Sequence, residues 1–397
     1  MAACAAPAPT VSPEVTALEK EVAALEKKVA TAEKGEAASE QEVAVLEKEI
    51  AALEKELGKA EEVVPPTPVE VITWTMFDGM SPGGSWQAKD VTVAEFTKRV
   101  ELGTAGRMTL DWFHVGEHPY KNSELLRPLK EGLLDITMIS PGMCYGDDPR
   151  LVSRVSLPFF TPGLSFELAR EINQALVDEG IAGAIFDDWN GTHLIFCYWG
   201  SQRIYTAFPM VPPDYLTGRK IRCSSPTWGK LITLLGGEPL YIAWGEVYTA
   251  LATGLVEGVQ TSFVAAYGTG LIEIADHVCW TALSTPSELY VLANKDSLAA
   301  LPSDVRGDLI ATLEDLEEWY MAGEGIATLL ALEEALAGGA VANALPPDKI
   351  EWIRTKTYEE IWVPELDKCG DPAWETFDAL AKIVIDMGYE VPGYTPK

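Results

Sequence analysis

The chain has 397 residues, among them 60 acidic and 30 basic ones, and its formal net charge is −30 at pH 7. An acidic surface of this kind repels phosphate, so we expect no nucleic-acid partner. The length allows two lobes and an appendage. No run of about eighteen or more apolar residues occurs, so we expect no transmembrane segment. The six cysteines are scattered without a Cys-x-x-Cys pair, which disfavours a zinc site, a redox dithiol and a dense disulfide framework.

Residues 1–12 resemble the end of a bacterial lipoprotein signal. Ala2 and Ala3 place small side chains before Cys4, and a cysteine at this point of such a signal becomes lipidated. We therefore interpret the segment as lipoprotein-like and expect a lipid anchor at Cys4, on the extracytoplasmic side. A free cysteine near a disordered terminus is the alternative.

Residues 13–62 carry a seven-residue apolar repeat that is typical of a coiled-coil stalk. β-Branched residues at position a with leucine at position d favour a parallel two-stranded coil, and hence a homodimer. We favour one continuous helix of about 70 Å, because the repeat continues without a stutter. The alternative is an antiparallel hairpin bent at Gly35, since residues 17–29 and 45–57 are near repeats. The a positions are Val15, Val22, Val29, Glu36, Val43, Ile50 and Leu57, and the d positions are Leu18, Leu25, Ala32, Ser39, Leu46, Leu53 and Ala60.

A Pro-rich linker at 63–68 separates the stalk from a predicted α/β domain at 69–397. Its Pro65-Pro66-Thr67-Pro68 run is stiff, extended and ends the helix. A first strand is predicted at 69–74, and strand and helix patterns then alternate up to about residue 280. That alternation favours α/β lobes with largely parallel sheets. The remainder is mainly helical, for example at 308–336 and 348–366.

The stretch 216–262 carries the strongest chemical signal in the chain. A predicted strand, Lys220–Cys223, ends beside Ser224-Ser225-Pro226, which suits the cap and the first turn of a following helix. The guanidinium of Arg222 can bind a carboxylate through two parallel hydrogen bonds, and the start of the helix adds to the attraction. This pattern predicts a carboxylate site, although an arginine after a strand is more often a surface residue or a structural ion-pair partner.

The same stretch closely resembles the signature region of the substrate-binding proteins of TRAP transporters, the DctP type. In that family a D-L-K-G-x-K-x-R motif precedes a helix, a G-A-x-P turn and the run E-V-Y-x-A-L-Q-x-G-V-x-D-G. The matching runs here are Leu216-Thr217-Gly218-Arg219-Lys220-Ile221-Arg222, Gly236-Gly237-Glu238-Pro239 and Glu246-Val247-Tyr248-Thr249-Ala250-Leu251-Ala252-Thr253-Gly254-Leu255-Val256-Glu257-Gly258. Shorter matches are Gly106-Arg107-Met108-Thr109-Leu110, Glu131-Gly132-Leu133-Leu134-Asp135-Ile136, Leu157-Pro158-Phe159-Phe160 and Leu301-Pro302-Ser303-Asp304-Val305.

The resemblance implies a two-lobed, periplasmic-binding-protein-like α/β fold whose lobes close on a ligand by a hinge motion. Lobe 1 would hold about residues 69–197 and 288–397, and lobe 2 about 198–287. It also implies an extracytoplasmic solute-binding protein that captures a small organic carboxylate and delivers it to the membrane subunits of a TRAP permease. The stalk would hold this domain away from its anchor.

The resemblance also implies which polar residues bind the ligand. In many members an arginine at the position of Arg222 pairs with the ligand carboxylate, and a second one about twenty residues earlier corresponds to Arg203. Ser224 would add the N–H groups of the serine turn. Gln260 lies where members that use a metal tend to carry a carboxylate. Because a neutral amide is a poor sole anchor for a hard cation, we expect binding through Gln260 without a metal or other cofactor.

Aromatic residues would form the apolar part of this site. An apolar cleft with a few fixed polar groups suits a carboxylate that carries a hydrophobic or aromatic body. Each aromatic residue alone is more often part of a core, and we select Trp228, just after the serine turn, and Trp86. The full set near the expected cleft edges is Trp74, Trp86, Tyr145, Tyr198, Trp199 and Trp228.

The sequence does not suggest an enzyme. It has no G-x-S-x-G, no P-loop, no G-x-G-x-x-G after a strand and no H-E-x-x-H, and its four histidines form no recognisable pair. We therefore expect a binding protein. The alternatives to transport are a ligand sensor displayed on the coiled-coil stalk and a structural envelope protein with a vestigial cleft.

Overall fold

The computed structural model describes residues 13–32, 40–61, 70–78, 90–154, 156–160 and 165–394. The chain divides into two compact units, residues 1–70 and 71–397. The lipoprotein-like segment with Cys4, the Pro-rich linker at 63–68 and the candidate ligand residue Trp86 lie outside the described residues.

The N-terminal unit contains two helices, α1 (Pro13–Ala32) and α2 (Glu40–Glu61), which pack against each other. One continuous helix would keep these segments apart, so that prediction is wrong and the hairpin alternative is the one observed. The half-buried side chains in the middle of both helices are the predicted a and d residues: Val22, Leu25, Val29, Leu46, Ile50 and Leu53. The apolar repeat therefore finds its partner within the chain, because joining two neighbouring segments costs little loop-closure entropy.

The second unit is built on two β-sheets joined by the chain. Eleven strands lie within the described residues and are numbered in chain order. They are β1 (Ile72–Asp78), β2 (Met108–Phe113), β3 (Ile136–Ile139), β4 (Gly191–Trp199), β5 (Gln202–Thr206), β6 (Lys220–Cys223), β7 (Glu238–Tyr241), β8 (Gly258–Ser262), β9 (His277–Cys279), β10 (Ser287–Asn294) and β11 (Val341–Asn343).

The two sheets are mixed rather than largely parallel. Sheet 1 has the order β2-β1-β3-β10-β4, and sheet 2 has the order β11-β9-β5-β8-β6-β7. In sheet 1, β1 is parallel to β2 and β3, whereas β10 is antiparallel to β3 and β4. In sheet 2, β6 is parallel to β7 and β8, whereas β5 is antiparallel to β8 and β9. Both strands that run against their sheets, β5 and β10, directly follow a passage of the chain from one sheet to the other.

Helices cover the faces of both sheets. They are α3 (Asp90–Gly103), α4 (Leu126–Lys130), α5 (Pro141–Cys144), α6 (Phe166–Asp178), α7 (Ile181–Asp187), α8 (Pro226–Leu234), α9 (Val247–Ala252), α10 (Phe263–Gly268), α11 (Lys295–Ala300), α12 (Ser303–Ala337), α13 (Pro347–Thr357), α14 (Val363–Cys369) and α15 (Asp371–Asp386). A π-helical turn, Tyr358–Trp362, joins α13 to α14. Of the helices in the described parts of the chain, none is both long and apolar enough to cross a membrane.

Within the described residues the strands cross between the sheets three times, from β4 to β5, from β9 to β10 and, by way of α12, from β10 to β11. Sheet 1 therefore takes its strands from residues 72–199 and 287–294, and sheet 2 from 202–279 together with β11. The place of β11 was not expected, since Val341–Asn343 belongs to a segment assigned to lobe 1 but pairs with β9 of sheet 2. The exact lobe boundaries stay a prediction.

The long helix α12 packs along both sheets. Near its start Leu309 and Leu313 lie in the core formed with sheet 1 and α3, and near its end Ala331 and Ala335 lie in the core of sheet 2. Between these two parts the Oε1 atom of Glu324 accepts a hydrogen bond of 3.0 Å from the backbone N–H of Gly200. One helix thus holds the first crossing point in place from outside the sheets.

Candidate functional site

The predicted strand, serine turn and helix are present, and they place Arg222 at the carboxyl end of a strand. β6 covers Lys220–Cys223, and Ser225 caps α8 by accepting the N–H of Trp228 at 3.5 Å. Pro226 occupies the first turn, where its missing N–H leaves no backbone donor unsatisfied. β6 lies between β8 and the edge strand β7 of sheet 2, and the residues at its carboxyl end are buried.

Arg222 is a buried cation held by neutral groups. Its side chain is 5% exposed, its Nε donates to the carbonyl oxygen of Ile242 at 3.0 Å, and its Nη1 donates to that of Gln260 at 3.0 Å. The indole ring of Trp244 lies 5.4 Å from the guanidinium carbon. Burial lowers the pKa of Arg222 to about 10, so the group remains cationic at neutral pH. No carboxylate in the described part of the chain forms an ion pair with it, so its charge is available to an anionic ligand.

Gln260 organises a chain of hydrogen bonds on the face of sheet 2 opposite to Arg222, because it lies between Val259 and Thr261 on β8. Its Oε1 accepts both the backbone N–H of Ser224 at 3.0 Å and the Ser224 hydroxyl at 2.9 Å. Its Nε2 donates to Oε1 of Gln202, and Nε2 of Gln202 donates to the hydroxyl of Ser287 at 3.3 Å. Gln202 begins β5 and Ser287 begins β10, so this chain of polar groups runs from sheet 2 to sheet 1 where the backbone crosses between them.

Arg203 lies on the same face of sheet 2 as Arg222. It pairs with Thr261 across β5 and β8, and Arg222 pairs with Val259 across β6 and β8. Thr261 and Val259 are two residues apart on one strand, so both arginines leave the sheet on one side. The guanidinium of Arg203 donates to the carbonyl oxygen of Trp280 and lies 5.1 Å from its ring. Arg203 is 7% exposed. The hydrogen bond to Trp280 already occupies one of its guanidinium nitrogens.

Of the two selected tryptophans, only Trp228 lies within the described residues. Trp228 is 6% exposed and belongs to the largest core cluster, together with Leu231 and Ile232 of its own helix. Its role as a ligand contact therefore stays a prediction, as does that of Trp86 outside the described residues. The structure joins the side chains of Ser224 and Gln260. Arg222 contacts only the backbone of Gln260, and Arg203 lies on the same face as Arg222 but two strands away.

Arg154 and Glu288 are two buried charges that the sequence-based list of site residues missed. Glu288 is the second residue of β10 and is 1% exposed, and Arg154 is 4% exposed. Tyr290 pairs with Ile139, so Glu288 lies level with Pro141, just beyond the carboxyl end of β3. The Arg154 guanidinium packs closely on α5, since a Cβ atom built on Gly142 of that helix would lie 2.7 Å from its Nε. A single acidic residue inside the apolar run SELYVLAN was the signal available in the sequence.

A second polar group lies at the carboxyl ends of β1 and β2. The buried carboxylate of Asp78 accepts hydrogen bonds from the Trp112 indole at 2.6 Å and from Nδ1 of His114 at 2.9 Å. Nε2 of His118 lies 2.9 Å from the carbonyl oxygen of Asp78. These side chains fix one another at this end of sheet 1.

A cavity of about 710 Å³ lies between α8, β7 and the π-helical turn. Its walls include Cys223, Ser225, Lys230, Tyr241 and Glu360. Ser225 and Pro226 of the serine turn border this cavity, but the selected residues Arg222, Arg203 and Gln260 do not. The buried polar chain at the crossing, rather than this open groove, carries the chemistry that suits a carboxylate.

Two α/β lobes on mixed sheets, joined by three crossings of the chain, form a two-lobed, periplasmic-binding-protein-like fold. Residues 82–357 match the model of DctP, described as bacterial extracellular solute-binding protein, family 7. The match covers more than half of the chain, and the chain belongs to this family.

Solved structures share the fold at low sequence identity. DctP7 of Bordetella pertussis, an extracytoplasmic solute receptor binding pyroglutamic acid, aligns with a TM-score of 0.66 at 20% identity, over 78% of this chain and 99% of that chain. A TRAP periplasmic solute binding protein of Desulfovibrio salexigens with bound orotic acid aligns with a TM-score of 0.68 at 18% identity, over 79% of this chain and 99% of that chain. At such identities the likeness shows the fold.

Curated relatives are matched over part of their length. A solute-binding protein of Chromohalobacter salexigens is 24% identical over 216 residues, which are 52% of this chain and 59% of that protein. The chain spans about half the length of the first curated relatives it matches.

Proposed function

We propose that this protein captures a small organic carboxylate outside the cytoplasm and delivers it to the membrane subunits of a TRAP-type permease. The observation that carries the proposal is the buried guanidinium of Arg222, which is held by two carbonyl oxygens and has no carboxylate partner in the described part of the chain. A buried cation that lacks a counter-charge is costly, and a bound carboxylate would offset that cost.

The surrounding groups support the same proposal. The carbonyl oxygen of Gln260 accepts from Arg222, and the Gln260 side chain fixes Ser224, two residues after Arg222. Arg203, two strands away in sheet 2, adds a second cation on the same face. The proteins of similar fold from Bordetella pertussis and Desulfovibrio salexigens bind pyroglutamic and orotic acid, both small carboxylic acids. In this role the two lobes close over the ligand, and the closed form is recognised by the permease.

The N-terminal unit has a separate part in the proposal. The helical hairpin α1–α2 serves as a spacer between the binding domain and a lipid anchor on Cys4. Its apolar seam, which includes Leu25 and Leu53, is only half-buried within the hairpin, so pairing of two hairpins into a homodimer would cover more of it.

A thermal-shift screen of the full chain against mono- and dicarboxylates tests the proposal. A ligand at about a hundred times its Kd adds about 2.7 kcal/mol to the free energy of unfolding, enough to raise Tm by a measurable amount. We expect one or more carboxylates to stabilise the protein and Arg222→Ala to abolish this shift. Silence across the panel, or full retention of binding in Arg222→Ala, would contradict the proposal.

Arg219→Ala is the matched control for that variant. Arg219 lies three residues earlier, is about half exposed, and pairs with Glu257 rather than with a buried group. Removing it changes the net charge by the same amount without touching the buried site. We therefore expect ligand binding to be unchanged in Arg219→Ala.

A further inference from the structure

Glu288 has a buried carboxylate group that lacks hydrogen-bond partners among the described residues. Neither of its side-chain oxygens accepts a well-formed hydrogen bond from the residues that the structure describes, and the residue is 1% exposed. A buried acceptor left in this state costs about 1–3 kcal/mol, and more if it is ionised. A ligand that donates a hydrogen bond to this carboxylate would remove that cost, and the gain would add to its binding free energy.

The position of Glu288 is at the crossing between the sheets, where the proposed ligand site lies. It follows Ser287, which ends the hydrogen-bond chain that starts at Ser224 and passes through Gln260 and Gln202. It also lies level with the residues just beyond the carboxyl end of β3. Ligands of open α/β sheets bind at the carboxyl ends of the strands. Glu288 therefore lies in sheet 1 at the crossing, level with the carboxyl end of β3 and directly after the last residue of this hydrogen-bond chain.

The charges around Glu288 come from several elements. The positive charge of Arg154 favours the ionised form of Glu288. Arg154 also interacts electrostatically with Tyr145 and with Glu365 of α14. Glu365 is 5% exposed, accepts a 2.7 Å ion pair from Lys230 of α8, and keeps its other oxygen without a partner. Ser156 lies close enough to favour the ionised form of Glu288. Arg154 thus balances Glu288 electrically without forming a hydrogen-bonded pair that would occupy its oxygens.

We propose that Glu288 is a specificity-determining residue that accepts a hydrogen bond from an N–H group of the ligand, so that the preferred carboxylates are those that carry an N–H donor. This inference rests on the proposed function. In it, Arg222 binds the carboxylate, Glu288 binds the N–H group, and Arg154 supplies the counter-charge that lets Glu288 remain buried. A carboxylate without an N–H group would leave Glu288 unpaired and bind more weakly.

Pairs of ligands that differ only in this group provide the test. Three such pairs, each with N–H replaced by oxygen, are pyroglutamate and 5-oxotetrahydrofuran-2-carboxylate, proline and tetrahydrofuran-2-carboxylate, and pyrrole-2-carboxylate and furan-2-carboxylate. Calorimetric titration of the full chain is expected to show the N–H member of at least one pair binding about tenfold or more tightly, the effect of one hydrogen bond to a buried acceptor. Equal affinities within every pair that binds would overturn the inference.

Two variants assign the preference to Glu288. Glu288→Met removes the acceptor while conserving volume, and it is expected to weaken the N–H member selectively until the two affinities agree within about twofold. Glu288→Gln keeps an acceptor oxygen without charge, so the preference should persist for the neutral N–H of pyroglutamate and fall for the charged nitrogen of proline. If Glu288→Met does not fold, the response of Glu288→Gln decides. A preference that survives unchanged in both variants, or equal weakening of both members, would assign Glu288 a structural role only.

The outcomes separate this inference from the proposed function. Carboxylates that bind without any preference for N–H leave the proposed function standing and remove the inference. Silence of the natural protein toward these six compounds and the wider carboxylate panel removes both.

Discussion

Ser224 and Gln260 are joined by two hydrogen bonds to a single oxygen atom. The backbone N–H and the hydroxyl of Ser224, at 3.0 and 2.9 Å, both donate to Oε1 of Gln260. The amide nitrogen of Gln260 then points to Gln202 at the crossing between the sheets. One buried amide therefore fixes the turn that follows Arg222 and connects it to the strand that enters from the other lobe.

Replacing that amide should destabilise the protein. Gln260 is fully buried, so Gln260→Leu would leave the Ser224 N–H and the Gln202 oxygen without partners. We expect a loss of about 2–4 kcal/mol in the free energy of unfolding, measured by urea denaturation. The control is Gln174→Leu, because Gln174 is on the surface of α6 and bonds only Asp178; this change should stay within about 0.5 kcal/mol. Similar losses in the two variants would contradict the assigned role.

Gly258 is required by the close approach of three strands. A Cβ atom at this position would lie 2.7 Å from the carbonyl oxygen of Tyr205 and 2.8 Å from Cδ1 of Ile221. Gly258→Ala is therefore expected to lower the free energy of unfolding by about 1–3 kcal/mol through overpacking. Gly200→Ala is the control, since the nearest atom to its Cβ would be Oε1 of Glu324 at 3.5 Å, an ordinary contact. Thermal melts of the two variants should differ clearly, and equal melts would refute the packing argument.

The stability contributed by Glu288 should depend on pH. Burial raises its pKa from 4.5 to about 7, so the folded protein holds this proton more tightly than the unfolded chain does. Stability is therefore lost as pH rises from about 4.5 to about 7, by about 3 kcal/mol in all. Glu288→Gln removes the titrating group, and it should gain stability relative to the natural protein between pH 4 and pH 8. Denaturant unfolding at both pH values measures this, and a difference that does not change with pH would contradict the expected ionisation.

His193 should affect stability in the opposite direction over a similar pH range. Burial lowers its pKa to about 4, and its Nε2 is buried without a partner among the described residues. The unfolded chain takes up the proton first, so stability is lost as pH falls from about 6.5 to about 4, by about 2–3 kcal/mol. His193→Leu, which keeps the apolar contacts to Phe196 and Tyr290, should show a flatter stability profile in this range. A profile as steep as that of the natural protein would show that another group titrates there.

Local patterns predicted local structure well in this chain. The strand Lys220–Cys223 and the helix after the serine turn follow from an apolar run, a capping serine and a proline in the first turn, all of which act within a few residues. The family resemblance added the two-lobed class. The seven-residue repeat likewise identified the residues that become half-buried in α1 and α2.

The partner of the apolar seam in α1 and α2 could not be predicted from the seven-residue repeat. The same apolar seam can face another chain or a second helix of its own, and the periodicity of Leu25 and Leu53 is equal in both cases. The helices α1 and α2 pack on each other, an arrangement favoured by the short separation between them. In the same way, the mixed sheets follow from where the chain crosses between lobes, which no single strand pattern records.

The sequence by itself determined the elements around Arg222, the acidic and apolar composition of the chain, and the family to which its motifs point. Only the tertiary structure placed Arg154 and Glu288, which are 134 residues apart in the sequence numbering, in one buried group at the crossing. Helix caps and strand periods are set by interactions between near neighbours. A buried charge is set by what lies around it in space, and for Glu288 that includes Arg154, Ser156 and the neighbouring strands β3 and β4.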